Sequence, residues 1–307
     1  MAKKVIDIAP DVPQGDIPSL VQPEMTNLYA TRLQRLQVLS EIHSMKDYLN
    51  FVSDIVQGQL TFLKNSPMPA PKEQEPLIVD WKTPPFSKKT HQKGYYWLDA
   101  LDGLLAHFEK LQQYKGESPV GQIVAQLRGL DKETRQRKAD QLLAGEFSAV
   151  GSDMAPFLWA ALSVYWAQLV RQRPLISREG VGVERHHCPV CGSAPVSSVI
   201  VNHTIDGLRY LHCNLCETQW HYVRTLCSNC EGGGKLNYWS VNDADAQVKA
   251  ESCDDCHSYL KIMYPKKGSD YTPDPVVDDL ASLALDILME EKDYARSTVN
   301  PFLFPEA

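Results

Sequence analysis

Eight cysteines in four C-x-x-C pairs, all within the C-terminal third of a 307-residue chain, constrain this sequence more than any other feature. The pairs are Cys188/Cys191, Cys213/Cys216, Cys227/Cys230 and Cys253/Cys256. Two thiolates separated by two residues sit on one tight turn with both sulfurs facing one point, and two such turns close a tetrahedral four-sulfur cage. Four pairs with no cysteine left over imply two metal ions.

The gaps say which pairs share an ion. Twenty-one residues separate Cys191 from Cys213, ten separate Cys216 from Cys227, and twenty-two separate Cys230 from Cys253. Nearly equal long gaps around a short linker describe one unit used twice. Each unit has a first turn, a strand-like run (196–202; 235–242), a polar turn (203–207; 243–246) and a return to the second turn. Cys188, Cys191, Cys213 and Cys216 are therefore expected to hold one ion, and Cys227, Cys230, Cys253 and Cys256 the other. A cross-braced pairing would give the same count without explaining the matched gaps. Gly192, directly after the first pair, suits a turn through positive φ. The second unit has Glu231 there, followed by Gly232, Gly233 and Gly234, which predicts a looser or more exposed site.

Two other uses of paired cysteines fit less well. A secreted disulfide scaffold would need an export signal, and the opening Met-Ala-Lys-Lys-Val-Ile-Asp-Ile-Ala-Pro has neither apolar core nor cleavage site, so a cytoplasmic protein is expected. A thioredoxin-like dithiol needs a helix N-terminus in a βαβ setting, which none of the pairs has. Four-sulfur geometry accepts zinc or iron, and base rates for short-gap ribbons favour zinc. Six of nine histidines, His186, His187, His203, His212, His221 and His257, gather around the cysteines, as ordinary loop residues or as donors to thiolates.

Upstream the pattern changes to helix. Apolar residues recur at helical spacing over 26–63, which predicts a long amphipathic helix, continuous or broken once. A proline-rich crossover spans 65–89. Helices are expected over 95–114, 120–127 and 132–143, the last capped by Asp131. Residues 154–170 are apolar nearly all round, but Ser163, Gln168 and Pro156 make them a buried bundle helix rather than a membrane span. A final amphipathic helix is expected over 276–294, with Asp278 and Asp279 in its first turn where the helix dipole favours acids.

Composition excludes further classes. Net charge is −7, and residues 186–267 carry seven Lys plus Arg against eight Asp plus Glu, so the ribbons lack the basic stripe that phosphate binding needs. No phosphate loop, dinucleotide fingerprint or zinc-protease motif occurs. The residues alone describe a helical protein carrying two four-sulfur sites, suited to protein interaction.

Three runs extend this. Cys-Pro-Val-Cys-Gly-Ser-Ala-Pro-Val (188–196), Arg-Tyr-Leu-His-Cys-Asn-Leu-Cys-Glu-Thr-Gln-Trp-His-Tyr-Val-Arg-Thr-Leu-Cys-Ser-Asn-Cys (209–230) and His-Ser-Tyr-Leu-Lys (257–261) resemble the FdhE family of formate dehydrogenase accessory proteins. Asp-Asp-Leu-Ala-Ser-Leu-Ala-Leu-Asp (278–286) and Asn-Pro-Phe-Leu (300–303) fit the same family. The resemblance implies a cytoplasmic maturation factor, not an enzyme, that binds the catalytic subunit of respiratory formate dehydrogenase before export. It also implies rubredoxin-like iron sites, with the eight cysteines as ligands of two iron ions and zinc as the alternative metal. The expected architecture is α plus small β. A helical domain (1–175) precedes two tandem rubredoxin-like or zinc-ribbon modules (176–223 and 224–272) and a C-terminal helix and tail (273–307). No nucleic acid and no membrane insertion are expected, and a homodimer through the helical half stays open. The competing functions are a rubredoxin-like electron carrier and a nucleic-acid-binding ribbon protein.

Overall fold

The computed structural model describes residues 17–72, 75–86, 90, 94–177, 185–202, 206–241, 245–265 and 271–305. The first amphipathic run folds as two helices, α1 (Leu28–Ile42) and α2 (Lys46–Asn65). The break lies at His43, whose extended backbone ends α1 and whose ring fixes the corner: Nδ1 accepts the Met45 N–H at 3.1 Å, and Nε2 lies 2.8 Å from the Ala281 carbonyl oxygen.

Next come α3 (Tyr96–Phe108), α4 (Pro119–Gly129) and α5 (Lys132–Ala144). The expected helix over 95–114 stops at Phe108 because its last bonds tighten to the i−3 pattern, and Gln112–Tyr114 form a separate 3₁₀ turn. Asp131 caps α5, its carboxylate accepting the Thr134 N–H at 2.7 Å, and Gly145 ends the helix at φ +84°. A single turn, α6 (Phe147–Val150), leads to α7 (Ala155–Arg171), which starts with Pro156 in its first turn.

Helix α7 is buried along almost its whole length. It can be apolar on every side because other elements cover every side. Phe157 meets Phe51 of α2 and Phe108 of α3, while Trp159 faces the cysteine-rich half. Its polar interruptions are satisfied: Gln168 accepts the Met68 N–H and donates to Tyr96. No helix among the described residues is long and apolar enough to cross a membrane. The proline-rich crossover is anchored midway by strand β2 (Leu77–Val79), parallel to β3 (Leu175–Ser177) just after α7.

In the cysteine-rich half, β4 (Pro195–Asn202), β5 (Asp206–Cys213) and β6 (Gln219–His221) form the first antiparallel meander, and β7 (Leu236–Trp239), β8 (Val248–Cys253) and β9 (Ser258–Met263) the second. The polar turns between β4 and β5 and between β7 and β8 lie mainly outside the described residues. The meanders share one sheet. Strand β9 runs parallel beside β4, pairing Ile262 with Ser198 and Met263 with Val199. The N-terminal β1 (Leu20–Val21) adds to β6, giving the order β1-β6-β5-β4-β9-β8-β7 with β10 (Ala295–Arg296) also on β9.

The C-terminal segment departs from expectation. The helix expected over 276–294 is interrupted at Ala281 and Ser282 into a single turn, α8 (Val277–Leu280), and the short α9 (Leu283–Glu290). Asp278 and Asp279 are buried ion-pair partners rather than exposed dipole acids. Asp278 meets Arg35 of α1 at 2.6 Å, and Asp279 is gripped by Arg296 with Lys261 nearby. Burial raises the Asp278 carboxyl above its ordinary range despite Arg35. At Asp279 the charges of Lys261 and Arg296 outweigh burial and hold the carboxyl below that range.

Candidate metal centres

Each C-x-x-C pair folds into the same turn. The residue after the second cysteine has left-handed backbone in all four: Gly192 (φ +73°), Glu217 (+61°), Glu231 (+59°) and His257 (+51°). In the three turns at Cys188, Cys213 and Cys227, the first cysteine's N–H donates to the carbonyl five residues on, at 2.8–2.9 Å. Cys253 faces the corresponding Ser258 across β8 and β9. The left-handed residue reverses the chain tightly enough to bring both sulfurs to the same side.

A second recurrence was not anticipated. Two residues beyond the second cysteine stand Ser193, Thr218, Gly232 and Ser258. Thr218 Oγ1 lies 3.2 Å from Cys216 Sγ, and Ser258 Oγ lies 3.0 Å from Cys256 Sγ, distances at which a hydroxyl would donate to the sulfur once a metal holds it as thiolate. The C-x-x-C-x-[ST] pattern was present in the sequence.

The turns assemble in the grouping expected from the gaps. Cys188, Cys191, Cys213 and Cys216 form one cluster, cluster 1, and Cys227, Cys230, Cys253 and Cys256 form cluster 2, with all sulfurs of each within 4.8 Å of one another. Shortest cross-turn distances are 3.5 and 3.6 Å in cluster 1 and 3.7 and 3.9 Å in cluster 2. A disulfide would bring sulfurs to about 2.05 Å. A tetrahedral metal with bonds near 2.3 Å spaces its sulfurs about 3.8 Å apart, so both clusters fit such an ion. Backbone donors complete each cage: Cys216 N–H approaches Cys213 Sγ, and Asn229 N–H approaches Cys227 Sγ, both at 3.4 Å. Burial pushes the thiols of Cys188 and Cys213 up, which is the situation a bound cation reverses.

The two clusters differ in surroundings. All four cluster 1 cysteines are buried, whereas Cys230 is exposed and Cys256 partly so. The looser second site expected from Glu231 and the glycines is thus the open one. The exposed Asp255 carboxylate lies where a Cβ on Gly234 would sit, so a side chain there would require that carboxylate to swing aside.

The described histidines near the cysteines pair with carboxylates or pack on rings, as the ordinary of the two readings expects. His212 Nε2 lies 2.7 Å from Glu217, which Arg32 of α1 also holds. Burial alone would raise Glu217, but Arg32 and His212 bring its carboxyl down to about 2. His186 approaches Glu231 at 3.3 Å and packs edge-on against His187. His221 lies edge-on to Tyr210, and His257 stacks on Tyr294. His203 lies outside the described residues. Arg32, Glu217 and Asp274, buried together, carried no sequence signal, because their partners are up to 242 residues apart.

Comparison with known proteins places nearly the whole chain. Models of the FdhE N-terminal, central and C-terminal domains match residues 17–180, 187–224 and 225–303 in turn. Protein FdhE of Escherichia coli (strain K12) is 45% identical over 294 residues, covering 94% of this chain and 92% of the relative, and Protein FdhE of Shigella boydii serotype 18 matches equally. The crystal structure of the FdhE protein from Pseudomonas aeruginosa superposes with a TM-score of 0.78 at 36% identity, over 94% of this chain and 100% of that one. With its helical N-terminal region, its shared sheet and its two four-cysteine clusters, the chain belongs to the FdhE family.

Proposed function

We propose that this protein is a cytoplasmic maturation factor for respiratory formate dehydrogenase, that it binds the catalytic subunit of that enzyme before export, and that its clusters each carry one iron ion. Family membership along nearly the whole chain is the observation that carries the assignment. The closed four-sulfur geometry agrees with a role other than catalysis. A metal ion held by four cysteines supplies structural cross-linking or one-electron chemistry, but it offers no open position for polarising a substrate. The chain's own residues supply the scaffold: Arg32, Trp159 and the 81–86 segment lock the helical half onto cluster 1, so helices and sheet present one continuous surface to a client.

The test is anaerobic affinity capture from cells making formate dehydrogenase, with metal content measured on the same sample. Recovery of the catalytic subunit with two iron ions per chain supports the proposal. The exposure of Cys230 favours a second function, electron carriage. Reversible reduction with no captured subunit, in protein retaining both metals, would replace maturation by that function.

A further inference from the structure

The two clusters arise from similar units, but the residues between their cysteines differ in kind. In cluster 1 these are Pro189-Val190 and Asn214-Leu215, all buried. In cluster 2 they are Ser228-Asn229 and Asp254-Asp255, of which Asn229 and Asp255 are exposed and Asp254 is partly exposed. These residues form the tip of each turn, the face through which a metal held on such a turn is reached.

The helical half closes the tips of cluster 1. The Phe86 N–H donates to the Val190 carbonyl at 3.1 Å, and the Trp159 indole N–H donates to the Asn214 carbonyl at 2.8 Å. Val190 and Leu215 belong to the same apolar core as Trp166, Phe86 and the helices around them. Arg32 holds Glu217 immediately beyond Cys216. Reaching cluster 1 therefore requires the helical half to separate from the sheet. Reaching cluster 2 requires no such opening, since Cys230 Sγ is bordered by Gly232, which has no side chain to cover it.

We propose that the two metal sites have different tasks: cluster 1 is a sealed staple joining the helical half to the sheet, and cluster 2 is the site that exchanges its ion with solution. The inference rests on the clusters holding metal, but it does not depend on which enzyme is the client. In exchange, a chelator takes the divalent ion as the metal–sulfur bonds break, and the freed thiolates take up protons from solvent. An accessible cluster can do this one sulfur at a time, whereas a sealed one must wait for a local opening of the fold.

The test uses full-length protein loaded with zinc, challenged with 4-(2-pyridylazo)resorcinol, whose colour reports each ion released. N-ethylmaleimide is added at intervals and the labelled cysteines are located by peptide mass spectrometry. Two phases of one zinc each are expected, at least about tenfold apart in rate. Cys227, Cys230, Cys253 and Cys256 should be labelled in the fast phase, and Cys188, Cys191, Cys213 and Cys216 in the slow one. A single phase, or labelling of cluster 1 first, overturns the division of tasks while leaving the client assignment intact. Uptake of fewer than two zinc ions overturns the metal assignment and this proposal together. Trp159→Phe keeps an aromatic side chain but loses the indole's N–H bond to Asn214 and part of its buried volume; it should speed the slow phase about tenfold and leave the fast phase unchanged. An unchanged slow phase would overturn the role of the helical half as the seal.

Discussion

Arg32 on α1 grips Glu217, the left-handed residue after Cys216, through two parallel hydrogen bonds of 2.9 and 2.8 Å, while its Nε donates to Asp274 at 2.9 Å. All three groups are buried, so one guanidinium ties the first helix, a cysteine turn and the C-terminal segment together. Substitution Arg32→Met would leave Asp274 without its cation and Glu217 with His212 alone. The expected loss is about 3–5 kcal/mol of stability by urea unfolding, because an unpaired buried charge costs more than its pair contributes. A loss within error of zero would show that water reaches the site and replaces the arginine.

Removing either pair of ligands should have unequal consequences. Cys253→Ser with Cys256→Ser should lose the ion of cluster 2 and leave the helical half folded. Cys188→Ser with Cys191→Ser should lose the other ion and also lower the thermal midpoint of the helices, since cluster 1 is part of their core. Metal analysis paired with far-ultraviolet circular dichroism reads both effects. Retention of both ions by either double variant would show that the ligand assignment is wrong.

The left-handed turns give a backbone prediction. Gly192 sits at φ +73° with room for a methyl group, its nearest neighbour being Pro84 at 3.6 Å from the place a Cβ would take. Gly192→Ala should therefore cost about 1–2 kcal/mol from backbone conformation alone, without a steric clash. Comparing its urea midpoint with the wild type checks the sign, and a gain in stability would contradict it.

Asp279 supplies a pH test. Lys261 and Arg296 hold its carboxyl below the ordinary range in spite of burial. A carboxyl with a depressed folded-state pKa stabilises the fold above its unfolded pKa, and that contribution fades as pH falls through the folded value. The stability difference between wild type and Asp279→Asn should be largest near neutrality and shrink below about pH 4, read from urea midpoints across pH. A difference constant with pH would mean that the amide's packing, not the lost charge, sets the effect.

Particular residues show how far sequence reasoning reached. The capped start of α5 followed from Asp131 because that bond joins residues three apart, and the grouping of cysteines, which joins residues 22–29 apart, followed from the near repeat of the gap lengths. The buried helix α7 was legible because a helix apolar on every face has to be enclosed. The histidines beside the cysteines left two readings open, ordinary loop residues or donors to thiolates, and sequence adjacency did not say where each ring would turn. His212 neighbours Cys213 in the chain, yet its ring turns to Glu217, a direction set by Arg32 arriving from α1. The C-terminal helix was overextended, since its apolar spacing does not reveal that Asp278 and Asp279 are drawn inward by Arg35, Lys261 and Arg296.

The union of the two meanders was likewise hidden. Strand β9 lies parallel to β4, and Arg209 on β5 reaches Glu251 on β8 at 2.7 Å across both. Local sequence determined the elements: four tight turns that present paired sulfurs, and helices whose apolar spacing marks their buried faces. Turn geometry and helical periodicity are properties of a few consecutive residues, so they can be read from the chain itself. Tertiary structure decided that two similar clusters would become one sealed and one open, because burial depends on which distant surface arrives to cover each turn. Trp159 and Phe86 reach only the first.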